Sequence, residues 1–309
     1  MRWPGCWFGA SPGELRGYVP KPASIAELGG VSLIRRIANQ GATVFALAAA
    51  VLVLVPLLAI FVYLVIKGVG SINISFLTQT PKPPGELGGG MANAIVGTGL
   101  ILAVASVIGL PLGIGSGIYL AEYGQHRFGD MIRFTADVLN GVPSIVIGIA
   151  VYSLIVVRQK HFSAFSGGVA LGIMMIPTIA RATEEMLLMV PNVIREAAYG
   201  LGIPKWRTTL SISLRTASAG VITGCMLAFA RVAGETAPLL FTAFGNQFWN
   251  LKLNQPTAAL SLQVFTYAIS PYDDWHKQAW AGALILILLI VGAVAAVRIT
   301  TSRGMLKGA

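Results

Sequence analysis

Charge is scarce in this chain: Asp, Glu, Lys and Arg make up 11% of its 309 residues, against 55% hydrophobic, and the mean hydropathy is +0.74. So little polar residue cannot wrap one soluble core of this size, which makes the bilayer its solvent. Cysteine is nearly absent as well. Cys6 lies in a polar stretch and Cys225 in an apolar one, which excludes a disulfide framework and a cysteine metal cluster. The three histidines, His126, His161 and His276, are scattered and none lies inside an apolar run. With neither H-E-x-x-H nor G-x-S-x-G present, the patterns expected of an intramembrane hydrolase are missing. There is also no G-x-x-x-x-G-K-[ST] loop to cradle nucleotide phosphates, so no bound cofactor is expected and any ATP must be handled elsewhere. The first forty residues lack an apolar h-region, which reads the first apolar run as an uncleaved anchor.

What is abundant is apolar sequence. Six stretches, about Ala42 to Ile66, Ile95 to Tyr119, Val138 to Val157, Phe165 to Ala180, Ala219 to Phe244 and Ala279 to Val297, are mostly near the roughly 20 residues that cross hydrocarbon. The fourth is short and contains Pro177. The expected fold is an all-α, polytopic membrane protein with six transmembrane helices. Its expected divisions are a weakly ordered tail over residues 1–41, a transmembrane domain over 42–298 and a second tail over 299–309. Ser32 to Ala38 has the pattern of a short surface helix.

Basic residues set the orientation. With six spans, the termini and even-numbered loops share a side and hold fifteen of the 22 Lys and Arg; the opposite side holds six, and Arg231 lies inside a span. The positive-inside rule places both termini in the cytoplasm, although Arg158 and Lys160 on a short outer loop run against it. Charges spread over several loops rather than along one groove-reading element argue against nucleic acid as partner. In the second span, Gly109, Gly113 and Gly117 have the spacing of a small-residue packing face.

The loop from Met186 to Arg215 has structure of its own. Pro191 suits the start of a helix, and Ile194, Ala197, Ala198 and Leu201 follow the i, i+3, i+4, i+7 pattern. Gly202 and Pro204 then stop that helix and start another, with Trp206, Leu210 and Leu214 at steps of four. Two such short amphipathic helices are marginal alone in water, so they need a surface to pack on, either lipid headgroups or a partner.

The residues Glu196 to Leu214, EAAYGLGIPKWRTTLSISL, resemble the EAA loop of bacterial ABC importer permeases. Three further stretches, FTADVLNGVPSIVIG (Phe134 to Gly148), MIPTIARATEEML (Met175 to Leu187) and ARVAGETAPLLFTA (Ala230 to Ala243), are similar to the A-type Pst permease family of phosphate importers. The likeness covers about Gly41 to Val297. It implies the ABC importer permease fold, with a cytoplasmic helix-turn-helix coupling loop at about 190–214 whose Glu196, Ala197, Ala198, Gly200, Leu201, Ile212 and Leu214 seat on an ATPase. It also implies partners: a second related permease, two cytoplasmic ATPase subunits that hydrolyse the ATP, and an external phosphate-binding protein, all in or at a bacterial plasma membrane. The family pattern closes the loop with Leu-Pro where this chain has Leu214-Arg215, which bears on how the loop rejoins the fifth span. A permease for another oxyanion, molybdate or sulfate, would share the loop.

Three charges are candidates for a substrate path. An arginine at the centre of a span costs roughly 2.5 to 3.5 kcal/mol on insertion scales, so Arg231 is expected to face the bundle interior or water. Glu235, one helical turn on, would pair with it, leaving two readings: a neutralised packing pair, or a cation that an oxyanion meets with Glu235 holding it in place. Arg181, at the inner end of the fourth span and followed by Glu184 and Glu185, is either a snorkelling interface residue or a second cation at the inner mouth. Asp137, beside Asn140 and Pro143 at the start of the third span, reads as a residue at a helix N-terminus.

Overall fold

A computed structural model describes residues 33–306, and among these no β-strand occurs. The helices are α1 (Leu33–Val69), α2 (Ile74–Thr78), α3 (Ala92–Tyr123), α4 (Arg127–Gly141), α5 (Ser144–Gln159), α6 (Ala164–Leu188), α7 (Asn192–Gly200), α8 (Lys205–Ala233), α9 (Ala237–Thr242), α10 (Leu260–Ala268) and α11 (Asp273–Leu306). Five of them, α1, α3, α6, α8 and α11, are long and apolar enough to cross a bilayer. The pair α4 and α5, bent by 104° at Val142 and Pro143, is apolar enough taken together to count as a sixth if the two form one broken span. The chain is a multi-pass, all-helical membrane protein.

The chain divides into two compact units at Ile60 and Phe61. In the first, the described residues form one helical segment whose apolar side chains, Phe45 and Leu52 among them, are exposed. Its helix begins at Leu33, so the described part of the segment expected as a surface helix, Leu33 to Ala38, runs into the first apolar run without a break. The remainder of the expected tail lies outside the described residues. At the other end α11 continues to Leu306, past the expected end of the domain at 298.

The core of the second unit is the α3–α6 contact. Cβ atoms built on Gly109, Gly113 and Gly117 of α3 would come within 2.8, 2.7 and 2.5 Å of the Cβ atoms of Met175, Ile179 and Thr183 of α6. Both series advance by four residues, so the two helices mesh ridge against groove with no side chain on the α3 ridge. Ile101, Ala105, Leu171, Met175, Ile179, Ala228, Val232 and Leu239 join α3, α6, α8 and α9 in one buried cluster.

Three expected spans are corrected. The fourth is not short: α6 runs from Ala164 to Leu188, with Pro177 inside it, and two-thirds of its most apolar stretch is buried. Polar residues beyond Ala180 hid its length, because Arg181 and Glu184 are paired within the fold. The third does not start at Val138, since helix stops at Gly141 and resumes at Ser144. Pro143 has no N–H to continue the ladder and disfavours helix at Val142 before it. The fifth starts earlier and ends earlier: α8 begins at Lys205, passes through a π-helical turn at Thr209–Ser213 and stops at Ala233. Arg215 has the N–H that this continuation needs, where a proline would clash with the preceding turn.

Candidate functional site

The expected Arg231–Glu235 helical pair does not form. Helix α8 ends at Ala233, and the Gly234 N–H caps it by donating to the carbonyls of Arg231 and Val232. Glu235 lies in the three-residue break before α9; its N–H donates to Val232 O at 3.1 Å, and its carbonyl accepts from Ser261 Oγ at 2.9 Å. With the helix interrupted between them, the one-turn spacing no longer stacks the two side chains, and no ion pair joins them among the described residues. Arg231 is exposed in the last turn of α8 and Glu235 is half-buried. The helix C-terminus favours a cation there. Non-helical backbone at membrane depth is tolerated only where protein buries it or it lines a watery cavity.

Arg181 sits differently. Its guanidinium pairs with both carboxylate oxygens of Asp137 on α4, one of them through Nε at 2.9 Å, and reaches Glu184 Oε2 at 3.3 Å. Glu184, whose side chain is 4% exposed, takes a second arginine: Arg133 Nε stands 2.6 Å from Oε1. Arg133 also pairs with Asp130 at 3.0 Å and donates to Gly124 O and Leu120 O at the end of α3. Asp137 is therefore not at a helix N-terminus as expected. It lies inside α4, because that helix begins at Arg127 and not at the third span. Residues 130, 133 and 137 fall on one face of α4, and this face is tied to α6 by charge.

The connection between α6 and α8 folds as its sequence pattern predicts. Helix α7 runs from Asn192 to Gly200 after Pro191, and Gly202 turns the chain in the left-handed region at φ +76° before Pro204. Of the apolar stripe, Ala198 is buried, whereas Ile194, Ala197 and Leu201 are exposed, Leu201 at 81%. Trp206 at 62% and Leu210 on the second helix are open too. Glu196 and Gly200 are exposed, while Ile212 and Leu214 are half-buried. A Cβ on Gly200 would meet nothing within 4 Å, so nothing in this chain requires glycine there.

Sequence reasoning missed what holds this loop. Glu122, near the end of α3 and 3% exposed at its side chain, forms an ion pair with Arg195 of α7, Oε1 to Nη1, at 2.8 Å, a charge contact outside hydrogen-bond geometry that leaves Glu122 Oε1 and Arg195 Nε without a hydrogen-bond partner. Arg195 Nη2 donates to Leu187 O at 2.6 Å. Lys205 Nζ donates to Glu122 O at 2.6 Å and stands 4.2 Å from the centre of the Tyr123 ring. The signal was in the sequence as isolated charges beside apolar runs, but their partnership is non-local.

The profile of the binding-protein-dependent transport system inner membrane component family matches residues 109–304. The chain belongs to that family. It is 45% identical over 258 residues to a protein of Yersinia pestis named phosphate transport system permease protein PstA, which covers 83% of this chain and 88% of that one. To the phosphate transport system permease protein PstA 1 of Mycobacterium tuberculosis (strain ATCC 25618 / H37Rv) it is 37% identical over 281 residues, 88% and 91% of the two chains. Among solved structures, the inward-facing MetNI methionine ABC transporter is similar with a TM-score of 0.53 at 18% identity, covering 68% of this chain and 96% of that one. At that identity the likeness shows the fold, which is that of an ABC importer permease. The family places the chain among transporter permease subunits, and its helices make it one that crosses the membrane several times.

Proposed function

We propose that this chain is a membrane permease subunit of an ATP-driven importer of inorganic phosphate, forming half of the translocation path. The observation that carries the substrate is the 45% identity, over most of both chains, to a phosphate transport system permease protein. The physical support is Arg231. Its guanidinium stays protonated, presents a planar fork that matches phosphate oxygens, and is open at the surface of a helix that stops short at Gly234. A buried packing pair is the weaker account, because Arg231 has no ion pair among the described residues that would neutralise it. Glu235, across the break, moderates the local field rather than clamping the arginine. Arg181 is a mouth residue only if the anion competes with Asp137, the more exposed of its two partners.

In this reading a second, related permease faces the Arg231 side of α8, two ATPase subunits sit on the exposed apolar residues of α7 and the start of α8, and an external phosphate-binding protein delivers the ion. Both termini lie in the bacterial cytoplasm, as the distribution of basic residues supports. ATP is hydrolysed by the ATPase subunits and this chain binds no cofactor.

The test is uptake of labelled phosphate by cells whose only copy of this permease is the chain itself. ATP-dependent phosphate uptake that arsenate inhibits and molybdate does not is the expected result. Inhibition by molybdate or sulfate instead would assign the path to another oxyanion.

A further inference from the structure

The end of α3 is gripped from two sides. From α4, Arg133 holds the carbonyls of Leu120 and Gly124. From the connection between α6 and α8, both limbs converge on one residue: Arg195 of α7 pairs with the Glu122 carboxylate and Lys205 of α8 donates to the Glu122 carbonyl. Helix α7 has nine residues, too few to be stable alone, and it is joined to α6 through Met189, Val190 and Pro191 and to α8 through a turn at Gly202. Linked by chain alone, it would pivot at those joints. A short ion pair between side chains that are 3% and 14% exposed resists pivoting, because pulling it apart strands a charge in a low-dielectric site.

We propose that Glu122, through Arg195, is a positioning residue for energy coupling. The pair makes α7 move as one piece with α3, so that motion imposed on the loop reaches the α3–α6 core directly and not only along α8. The chain of contacts is short: Arg195 bridges Leu187 at the end of α6 and Glu122 at the end of α3, the two helices whose glycine ridge forms the centre of the unit. Both residues lie outside the exposed apolar set that would touch an ATPase, so the pair transmits and does not dock. The proposal rests on the importer reading above.

The experiment uses the complete importer, reconstituted in lipid vesicles with wild-type chain, Glu122→Gln or Arg195→Lys. Two quantities are measured: amide hydrogen exchange over residues 192–204 of the assembled complex, and labelled phosphate moved per ATP hydrolysed. Glu122→Gln keeps the shape but removes the charge, and is expected to speed exchange in 192–204 while α3 and α6 stay protected. Phosphate moved per ATP then falls at least about fivefold with ATP hydrolysis itself within about twofold of wild type. Arg195→Lys keeps the charge and retains most of the coupling.

Unchanged exchange in 192–204 with unchanged phosphate per ATP overturns the proposal, as does an Arg195→Lys complex no better coupled than Glu122→Gln. A loss of transport that merely follows a loss of assembled complex in both Glu122→Gln and Arg195→Gln also overturns it, since that is a structural pair and nothing more. Should Glu122→Gln fail to assemble, Arg195→Gln takes its place with the same outcomes deciding. A wild-type complex that hydrolyses ATP without moving phosphate contradicts the importer reading instead, and the exchange measurement still decides whether the pair holds α7.

Discussion

Two arginines in the membrane helices of this chain live under opposite conditions. Arg181 is locked between Asp137 and Glu184, in a cluster that Arg133 and Asp130 complete. Arg231 stands exposed at the end of α8 with its expected partner on the far side of a helix break. The first arrangement satisfies its charges within one subunit and holds α4 against α6. The second leaves a charge with no ion pair in the subunit among the described residues, so its compensation must come from outside the subunit, as water, a partner chain or a passing anion. Matched charge marks what is built to stay, and unmatched charge marks where something else arrives.

The largest effect should come from the unmatched side. Arg231→Ala is expected to reduce phosphate uptake at least about a hundredfold with the complex still assembled, because the path loses its cation without any internal pair being broken. Arg231→Lys should recover little, since a point charge does not reproduce the fork. Uptake beside co-purification of the ATPase subunits checks both, and parallel loss of uptake and assembly would break the contrast with Arg181.

On the matched side the loss should be of stability. Glu184→Gln removes the carboxylate that two arginines share and is expected to cost about 2 kcal/mol, less than a fully buried pair because both arginines are partly exposed. The checks are the thermal midpoint of the purified complex and the amount assembled, with residual uptake scaling with that amount. A stable Glu184→Gln complex that does not transport would move this cluster into the path.

The smallest effect is expected of Glu235→Gln. With no ion pair to Arg231 it changes only the local field, and uptake should alter by about threefold or less at saturating phosphate, an effect of under about 1 kcal/mol. Initial uptake rates across a phosphate series measure it. A loss as deep as that of Arg231→Ala would mean the two residues act as a pair after all.

Much of this contrast was legible in the sequence, and what was not has physical causes. Hydropathy finds helices that face lipid, so α3 and α11 were visible, each longer at both ends than its apolar run because helical backbone continues outside hydrocarbon. It fails where charges are satisfied internally: Arg181 and Glu184, each paired within the fold, made the end of α6 look like a loop. It also runs through breaks whose residues are apolar or small. Gly234 and Pro238 were the signs of one in the fifth span, yet the hydrophobic stretch continues past both. Local pattern found α7 and the Gly202 turn, whereas Glu122 and Arg195 are brought together only by tertiary packing. Arg231 was found as a charge in a span, but not its solitude.

The most direct test of that solitude replaces both residues, Arg231→Met with Glu235→Leu, in the assembled importer. If Arg231 is the charge that phosphate meets, the double variant assembles in normal amount and takes up no phosphate. Normal uptake by that chain would contradict the account, because a volume-matched apolar pair can stand in for packing but not for a cation in the path.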